Sequence, residues 1–192
     1  ALLQAGFAVT ATTRQPLSAY AGLPRRRLAR VEAAGGELAE NLSFGDPGFL
    51  EAIGNRGPFD LLCHHGAEVG DLRRPDYEPH AALAANARNA DAVLRLLALR
   101  GGRGLVATGS VFEAGEGGGD TTPLNAYGLA KTLTWHSLRF HAERHGLAVG
   151  RFVVPHPFGP LEKPGFTSAL AAAWLAGRPG IVRRPNLVRD LV

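Results

Sequence analysis

The chain has 192 residues, 45% of them hydrophobic and 20% charged, with a net charge of +4. That length suits one α/β domain with a sizeable core, and a disordered chain is excluded because the 25 glycines and 13 prolines fall between periodic segments. No apolar run is long enough for a bilayer-spanning helix and no signal peptide is visible, while the single Cys63 cannot close an internal disulfide; the expected compartment is the cytoplasm, with no membrane partner.

Taken in order, Ala1 to Ala5 reads as the last turn of a helix stopped by Gly6, and Phe7 to Thr12 as a short buried strand. A helix is expected from Leu23 to Ala34, ended by Gly35-Gly36, then a strand from Glu37 to Asn41. The densest basic run, Arg25-Arg26-Arg27 with Arg30, lies on that helix and lacks interleaved aromatics, so nucleic acid is not an expected partner. Asp46-Pro47 opens a brief helix as N-cap and first-turn proline, and Phe59 to Cys63 is a buried strand. The apolar spacing predicts one long helix from Tyr77 to Leu99, stopped by Gly101-Gly102. There follow a strand from Gly104 to Thr108, a Gly-rich loop from Gly115 to Gly119 and a second long helix from Ala126 to His145. A strand from Leu147 to Val154, a Pro-rich loop, a helix from Thr167 to Ala176 and a strand near Gly180 to Arg183 complete the pattern. Strands alternating with helices predict an α/β fold, a doubly wound, Rossmann-like parallel sheet with helices on both faces. The opening in mid-helix and the close in the apolar Asp190-Leu191-Val192 are read as the ends of a piece of a longer protein.

Tyr127 and Lys131 stand four residues apart, which puts a phenol and an ammonium on one helical face. A neighbouring ammonium favours phenolate and lowers the phenol's pKa, making the pair a proton shuttle for an alcohol or carbonyl. One strand upstream, Thr108 and Ser110 bring hydroxyls to the carboxyl end of a buried strand, the edge where open α/β sheets bind ligands.

This run of strand, Thr108-x-x-Val111-Phe112, Gly-rich loop and Tyr127-x-x-x-Lys131 resembles the extended short-chain dehydrogenase/reductases, also called the NAD-dependent epimerase/dehydratase family. The resemblance continues elsewhere. Asp60 to Ala67 is similar to the family's strand ending in His-x-Ala-Ala beside the cofactor, so His64, His65, Gly66 and Ala67 are implied cofactor contacts. Asn86 occupies the place of an Asn in the next helix, and Asn41-Leu42 the place of an Asp-Leu pair at the adenine. Pro155 to Pro160 resembles the loop near the nicotinamide, with His156 where relatives usually have a substrate-contacting Asn. Val188-Arg189-Asp190 resembles the segment whose Arg meets a nucleotide-sugar's phosphates. By this resemblance Thr108 holds the catalytic Ser/Thr position, Tyr127 is the acid/base and Lys131 binds the nicotinamide ribose. Ser110 is the competing hydroxyl on the substrate side.

The family's Gly-rich phosphate loop and its first strand are not in this sequence, which implies weak or absent cofactor binding by the chain as it stands. Residues 1–160 would form the N-terminally incomplete dinucleotide-binding domain, and 161–192 the beginning of a small substrate-binding region. Thr12-Thr13-Arg14 closes the second family strand with no carboxylate, and Arg14 with Thr13 suits a 2′-phosphate, which tips the expected cofactor from NAD to NADP. The expected activity is a hydride-transferring epimerase, dehydratase or oxidoreductase acting on a nucleotide-sugar. The alternatives are an NADP-dependent ketoreductase of a small carbonyl or 4-keto sugar, and a non-catalytic dinucleotide-binding regulator. Ala-rich stretches on the long helices leave room for a homodimer.

Other features draw plainer readings. His141 and His145 have a spacing that can bind zinc, but no third ligand is evident, and no metal is expected. Glu113 reads as an exposed loop carboxylate, Trp135 and Trp174 as core or interface, and Cys63 as a small hydrophobe.

Overall fold

In the computed structural model, which describes residues 2–68, 76–117, 121–155, 157–163 and 165–182, strands and helices alternate. They are β1 (Thr10–Thr12), α1 (Gly22–Ala33), β2 (Glu37–Ala39), α2 (Pro47–Arg56), β3 (Leu61–His64), α3 (Pro79–Asn86), α4 (Ala90–Leu99), β4 (Gly104–Ser110), α5 (Ala126–Arg144), β5 (Ala148–Val154) and α6 (Phe166–Leu175). The strands pair only in parallel, β1 with β2 and, in a second sheet, β3-β4-β5. The architecture is α/β and Rossmann-like, as the alternation predicts. Two compact units result, one of Ala1–Asn41 with Pro155–Val192, the other Leu42–Val154.

The Leu42–Val154 unit holds the core. Central β4 is buried along most of its length, and its Leu105 and Ala107 pack with Leu94, Leu97, Leu138, Ala142 and Leu147. Residues Ala90, Val93, Leu94 and Leu97 recur on one stripe of α4, the spacing a core-facing helix needs. Phe49 and Ile53 of α2 close a second cluster over Val93. Asp46 caps α2 by accepting from the Phe49 amide at 2.7 Å, and Asn125 caps α5 by accepting from the Gly128 amide at 2.8 Å. In the other unit the Arg27 guanidinium donates to the Leu161 carbonyl at 2.7 and 2.9 Å.

Several elements depart from the sequence expectation. The single helix expected from Tyr77 to Leu99 is two, because Asn89 adopts a left-handed φ of 49° between α3 and α4. Its side-chain amide donates to the Gly45 carbonyl at 2.7 Å, holding the turn that an Asn tolerates better than most residues. β1 is confined to Thr10–Thr12, with Phe7 61% exposed. Residues 180–182 form no strand, and Arg183 lies outside the described residues. Among the described residues, no helix is long and apolar enough to cross a membrane.

Candidate active site

Within the Leu42–Val154 unit, the carboxyl ends of β3 and β4 meet the first turns of α5. The parallel register sets His64 beside Ala107 and carries β4 on to Thr108 and Ser110. The start of α5 is seated closely: a Cβ added at Gly128 would lie 2.0 Å from the Phe112 carbonyl oxygen, so only glycine fits there. That seating fixes Tyr127, whose ring packs edge-on to Phe112 and Tyr77, each at 6.4 Å between centroids.

Tyr127, Lys131, Thr108 and Ser110 come together. The Ser110 hydroxyl accepts from the Phe112 amide at 3.3 Å, and the Phe112 ring is the one packed edge-on to Tyr127. The Lys131 ammonium, on a buried residue, donates to the Thr108 carbonyl at 2.5 Å, and the Thr108 hydroxyl meets His65 Nδ1. The ammonium is therefore turned to a backbone carbonyl rather than to the phenol, and the expected depression of the Tyr127 pKa is not found. Burial instead pushes the phenol above its ordinary value, with Glu113 and Tyr77 adding to the shift and the Ser110 hydroxyl opposing it. Burial lowers the proton affinity of Lys131, Glu113 opposes this and Arg151 adds to it.

His64 is buried against the edge of Phe44, 4.7 Å between centroids. Its Nε2 lies 2.9 Å from the Asn86 carbonyl, an arrangement that calls for the Nε2–H tautomer, and Nδ1 has no partner among the described residues. Burial first, then Lys131, pushes its pKa down to about 4. His65 is shifted down by the same two causes. Asn86 is a latch: its carbonyl takes His64 and its Oδ1 accepts from the Glu68 amide at 2.7 Å, holding both ends of the Gly66-Ala67 segment. Asn86 Nδ2 is buried and has no hydrogen-bond partner among the described residues.

Glu113 corrects the sequence reading. It is not exposed but 1% accessible, accepting from the Ser110 amide at 2.6 Å and pairing with Arg151 Nη2 at 2.8 Å. Burial raises its pKa, with Arg151, the Ser110 amide and Lys131 pulling the other way. Arg151 lies over Trp135, its guanidinium carbon 5.6 Å from the ring centroid. The available signal was an arginine in the otherwise uncharged β5, since a charge held within an apolar strand calls for a partner. Behind Lys131 a cavity of about 10 Å³ is lined by His64, Thr108, Glu113, Trp135 and Arg151, among others. It has room for about one water and is far below the roughly 300–1,000 Å³ of a ligand pocket, so it forms the back of the site.

The remaining expected residues are spread more widely. In the Ala1–Asn41 unit, Thr13 is buried at the end of β1 and its hydroxyl donates to the Gln15 carbonyl at 2.8 Å, so that proton is already committed. Arg14 is exposed, and Asn41 takes a left-handed φ of 59°. Leu42, in the other unit, packs on the Phe49–Ile53–Val93 cluster. Pro155 is half-buried, while His156 and Arg189 lie outside the described residues. Trp135 packs on the main core, but Trp174 is 85% exposed. His141 and His145 both turn to Asp91 Oδ1, at 3.2 and 2.9 Å. Among the described residues no group of three or more His, Cys, Asp or Glu is arranged to hold a metal.

The family model for the NAD dependent epimerase/dehydratase family matches residues 1–183. Among solved structures, the chain is similar to UDP-glucose 4-epimerase of the hyperthermophile Thermotoga maritima with UDP-glucose, at 20% identity and a TM-score of 0.72, covering 100% of this chain and 63% of that one. It is similar to a point mutant of UDP-glucuronic acid 4-epimerase from Bacillus cereus, in complex with a fluorinated UDP-glucuronic acid and NAD, at 15% identity, a TM-score of 0.73 and the same coverage. The dTDP-glucose 4,6-dehydratase of Streptomyces venezuelae with NAD bound is similar at 20% identity and a TM-score of 0.67, over 100% of this chain and 62% of that one. The chain thus spans about 63% of the length of these structures. No curated protein matches it.

Proposed function

We propose that this chain, which belongs to the NAD-dependent epimerase/dehydratase family, carries the acid/base part of an enzyme that moves hydride between a nucleotide-sugar and a nicotinamide dinucleotide. The observation that supports it is Tyr127 seated between the rings of Phe112 and Tyr77 at the carboxyl edge of β4, on the same helix as the buried Lys131, which is held to the Thr108 carbonyl. The residues suit a dinucleotide. Among the described residues Lys131 makes one hydrogen bond, leaving ammonium protons for ribose hydroxyls, and the buried donor Asn86 Nδ2 has no acceptor. When bound, the dinucleotide supplies the hydride acceptor or donor.

In the proposed mechanism Tyr127 takes the proton of a sugar hydroxyl, or returns it to a carbonyl, while the Thr108 hydroxyl holds the same oxygen. Phe112 and Tyr77 keep the ring aimed, and the Ser110 hydroxyl, which opposes the rise in the phenol's pKa, eases the charge that develops there. His64, held neutral by burial, adds no competing positive charge. Nucleotide-sugars are the substrate class named for the epimerases with this fold. Arg14, at the end of β1 where no carboxylate stands, favours NADP over NAD; the Thr13 hydroxyl, bonded to Gln15, adds no donor to that preference.

A second reading has its own support. A phenol held above its ordinary pKa is protonated at neutral pH, which suits proton donation to a carbonyl, so reduction of a keto sugar fits the resting site.

The test uses the full-length gene product. Denaturation followed by chromatography and mass analysis identifies any nucleotide it carries, and turnover of UDP- and dTDP-sugars is followed by NMR. Tyr127→Phe is expected to lower kcat by about 10²–10⁴-fold with dinucleotide binding retained. Unchanged turnover in this variant, or a wild-type protein indifferent to every dinucleotide, would sink the proposal.

A further inference from the structure

Two adjacent histidines at the carboxyl end of β3 turn to different partners. His64 serves the fold, buried against Phe44 with its Nε2 on the Asn86 carbonyl. His65 is exposed, and its Nδ1 is hydrogen-bonded to the Thr108 hydroxyl. An exposed imidazole finds hydrogen bonds in water, and holding it on a neighbouring side chain costs rotamer freedom for little stability. The contact matters more to Thr108. Its carbonyl accepts from the Lys131 ammonium of α5 at 2.5 Å, and its backbone lies opposite Phe152 of β5. With the backbone held in this way, what remains to be set is the direction of the hydroxyl proton, and His65 is the side chain that meets it.

A neutral imidazole carries one proton, on Nδ1 or on Nε2, and the hydrogen bonds of the two nitrogens decide which. Desolvation and the Lys131 ammonium hold His65 below its ordinary pKa, so the neutral ring prevails at neutral pH. With the proton on Nε2, Thr108 must donate to Nδ1, and its oxygen is left only to accept from a substrate. The sugar hydroxyl gives its proton to Tyr127, however, and the carbonyl formed has none to give. In both states the reacting oxygen therefore needs a donor. With the proton on Nδ1, the ring donates to Thr108 Oγ1 and the Thr108 proton is free for that oxygen. We propose that His65 is a positioning residue, which donates from Nδ1 to the Thr108 hydroxyl oxygen and so turns the Thr108 proton to the reacting oxygen of the sugar. Its effect on turnover rests on Thr108 holding that oxygen; the tautomer of His65 does not. This role is distinct from a contact of His65 with the dinucleotide, and kinetics separate the two.

The experiment labels the full-length gene product with [¹⁵N]histidine, and His65→Leu identifies the His65 signals by their loss. At neutral pH His65 is expected as the Nδ1–H tautomer, and Thr108→Val, which removes the hydroxyl, should move its nitrogen resonances. An Nε2–H tautomer, or resonances indifferent to Thr108→Val, overturns the proposal. Because His65 is exposed, its variants are expected to fold, and the tautomer is read in the wild type in any case. Kinetics use UDP-glucose or another UDP- or dTDP-sugar that the wild type turns over. His65→Leu should lower kcat about tenfold, the scale of one hydrogen bond, with the KM for dinucleotide within about twofold. His65→Asn keeps an N–H donor near the place of Nδ1 and should recover most of that loss. Thr108→Val should be slower still, and the double variant no slower than Thr108→Val alone. Losses that add, or a loss confined to the KM for dinucleotide, overturn the positioning. If Thr108→Val is slow and His65→Leu keeps the wild-type kcat, the positioning falls and Thr108 keeps its role. If Thr108→Val leaves turnover intact, the catalytic reading of Thr108 falls, and the tautomer alone decides whether His65 positions its hydroxyl.

Discussion

Replacing Gly128 by alanine tests how α5 is seated beneath the candidate site. The new Cβ would lie 2.0 Å from the Phe112 carbonyl oxygen and 2.7 Å from its carbon. These are backbone atoms with no rotamer to escape into, and the Gly128 amide is also tied to the Asn125 cap. Restoring an ordinary contact would move the helix start by about 1 Å or more. Overpacking of this kind costs about 1–3 kcal/mol, set against a gain of roughly 0.5–1 kcal/mol for alanine over glycine in a helix. Gly54 in α2 is the control, because a Cβ there meets nothing within 4 Å and only the gain applies. For a chain of this size 1 kcal/mol shifts the melting temperature by roughly 2–4 °C. Thermal unfolding should therefore place Gly128→Ala below the wild type, by up to about 10 °C, and Gly54→Ala slightly above it. Turnover should fall with Gly128→Ala at temperatures where it remains folded, since Tyr127 is the adjacent residue. A Gly128→Ala protein that melts at or above the wild-type temperature would refute the close seating of α5 on Phe112.

Two further outcomes follow from the same packing. His64 is held neutral with a pKa of about 4, against roughly 6.5 in an unfolded chain. A depressed histidine adds stability that is complete above the unfolded value and is lost as pH falls from about 6.5 to about 4, on the order of 3 kcal/mol. Glu113, whose pKa is raised, acts in the opposite sense. Urea midpoints between pH 7 and 4.5 should thus slope less in His64→Gln than in the wild type, and equal slopes would contradict the assignment. Asn89→Ala forfeits a left-handed backbone residue and the bond to Gly45, together about 1.5–3 kcal/mol. Asn89→Gly should recover the backbone share in the same melting assay, and two equally unstable variants would speak against a turn set by the backbone.

Much of the frame was legible because it is local. Tyr127 and Lys131 share a helix whose start is marked by an Asn cap, and β4 is a continuous apolar run ending in hydroxyls. What escaped depends on partners far along the chain. The apolar spacing of residues 77–99 runs unbroken through Asn89, and the break is held by Gly45, 44 residues away. Glu113 reads as a loop carboxylate until β5 brings Arg151 to it from 38 residues away. Helical spacing put Lys131 on the face of Tyr127 but could not specify where a flexible four-carbon side chain would turn, and the Thr108 carbonyl claims it. Trp174 lies in an apolar helix and yet is exposed, because apolar composition alone does not say which neighbour covers a helix.

The division of labour along α5 explains why chemistry and stability meet at this site. Leu138 and Ala142, in the second half of the helix, are sealed in the core against β4 and α4. In the first half the buried positions are Gly128, Ala130, Lys131 and Thr134. Thr134 returns its hydroxyl to the Ala130 carbonyl at 2.7 Å, so its burial needs nothing from outside the helix. Lys131 cannot satisfy itself in this way and relies on the end of β4. Strand β4 divides in the same manner, with Leu105 and Ala107 in the core and Thr108 and Ser110 at its edge. The hydrophobic contact between the inner parts of strand and helix thereby sets the separation of their polar ends. A core substitution that tilts α5 would be felt at Tyr127 and Lys131 before it unfolds the chain.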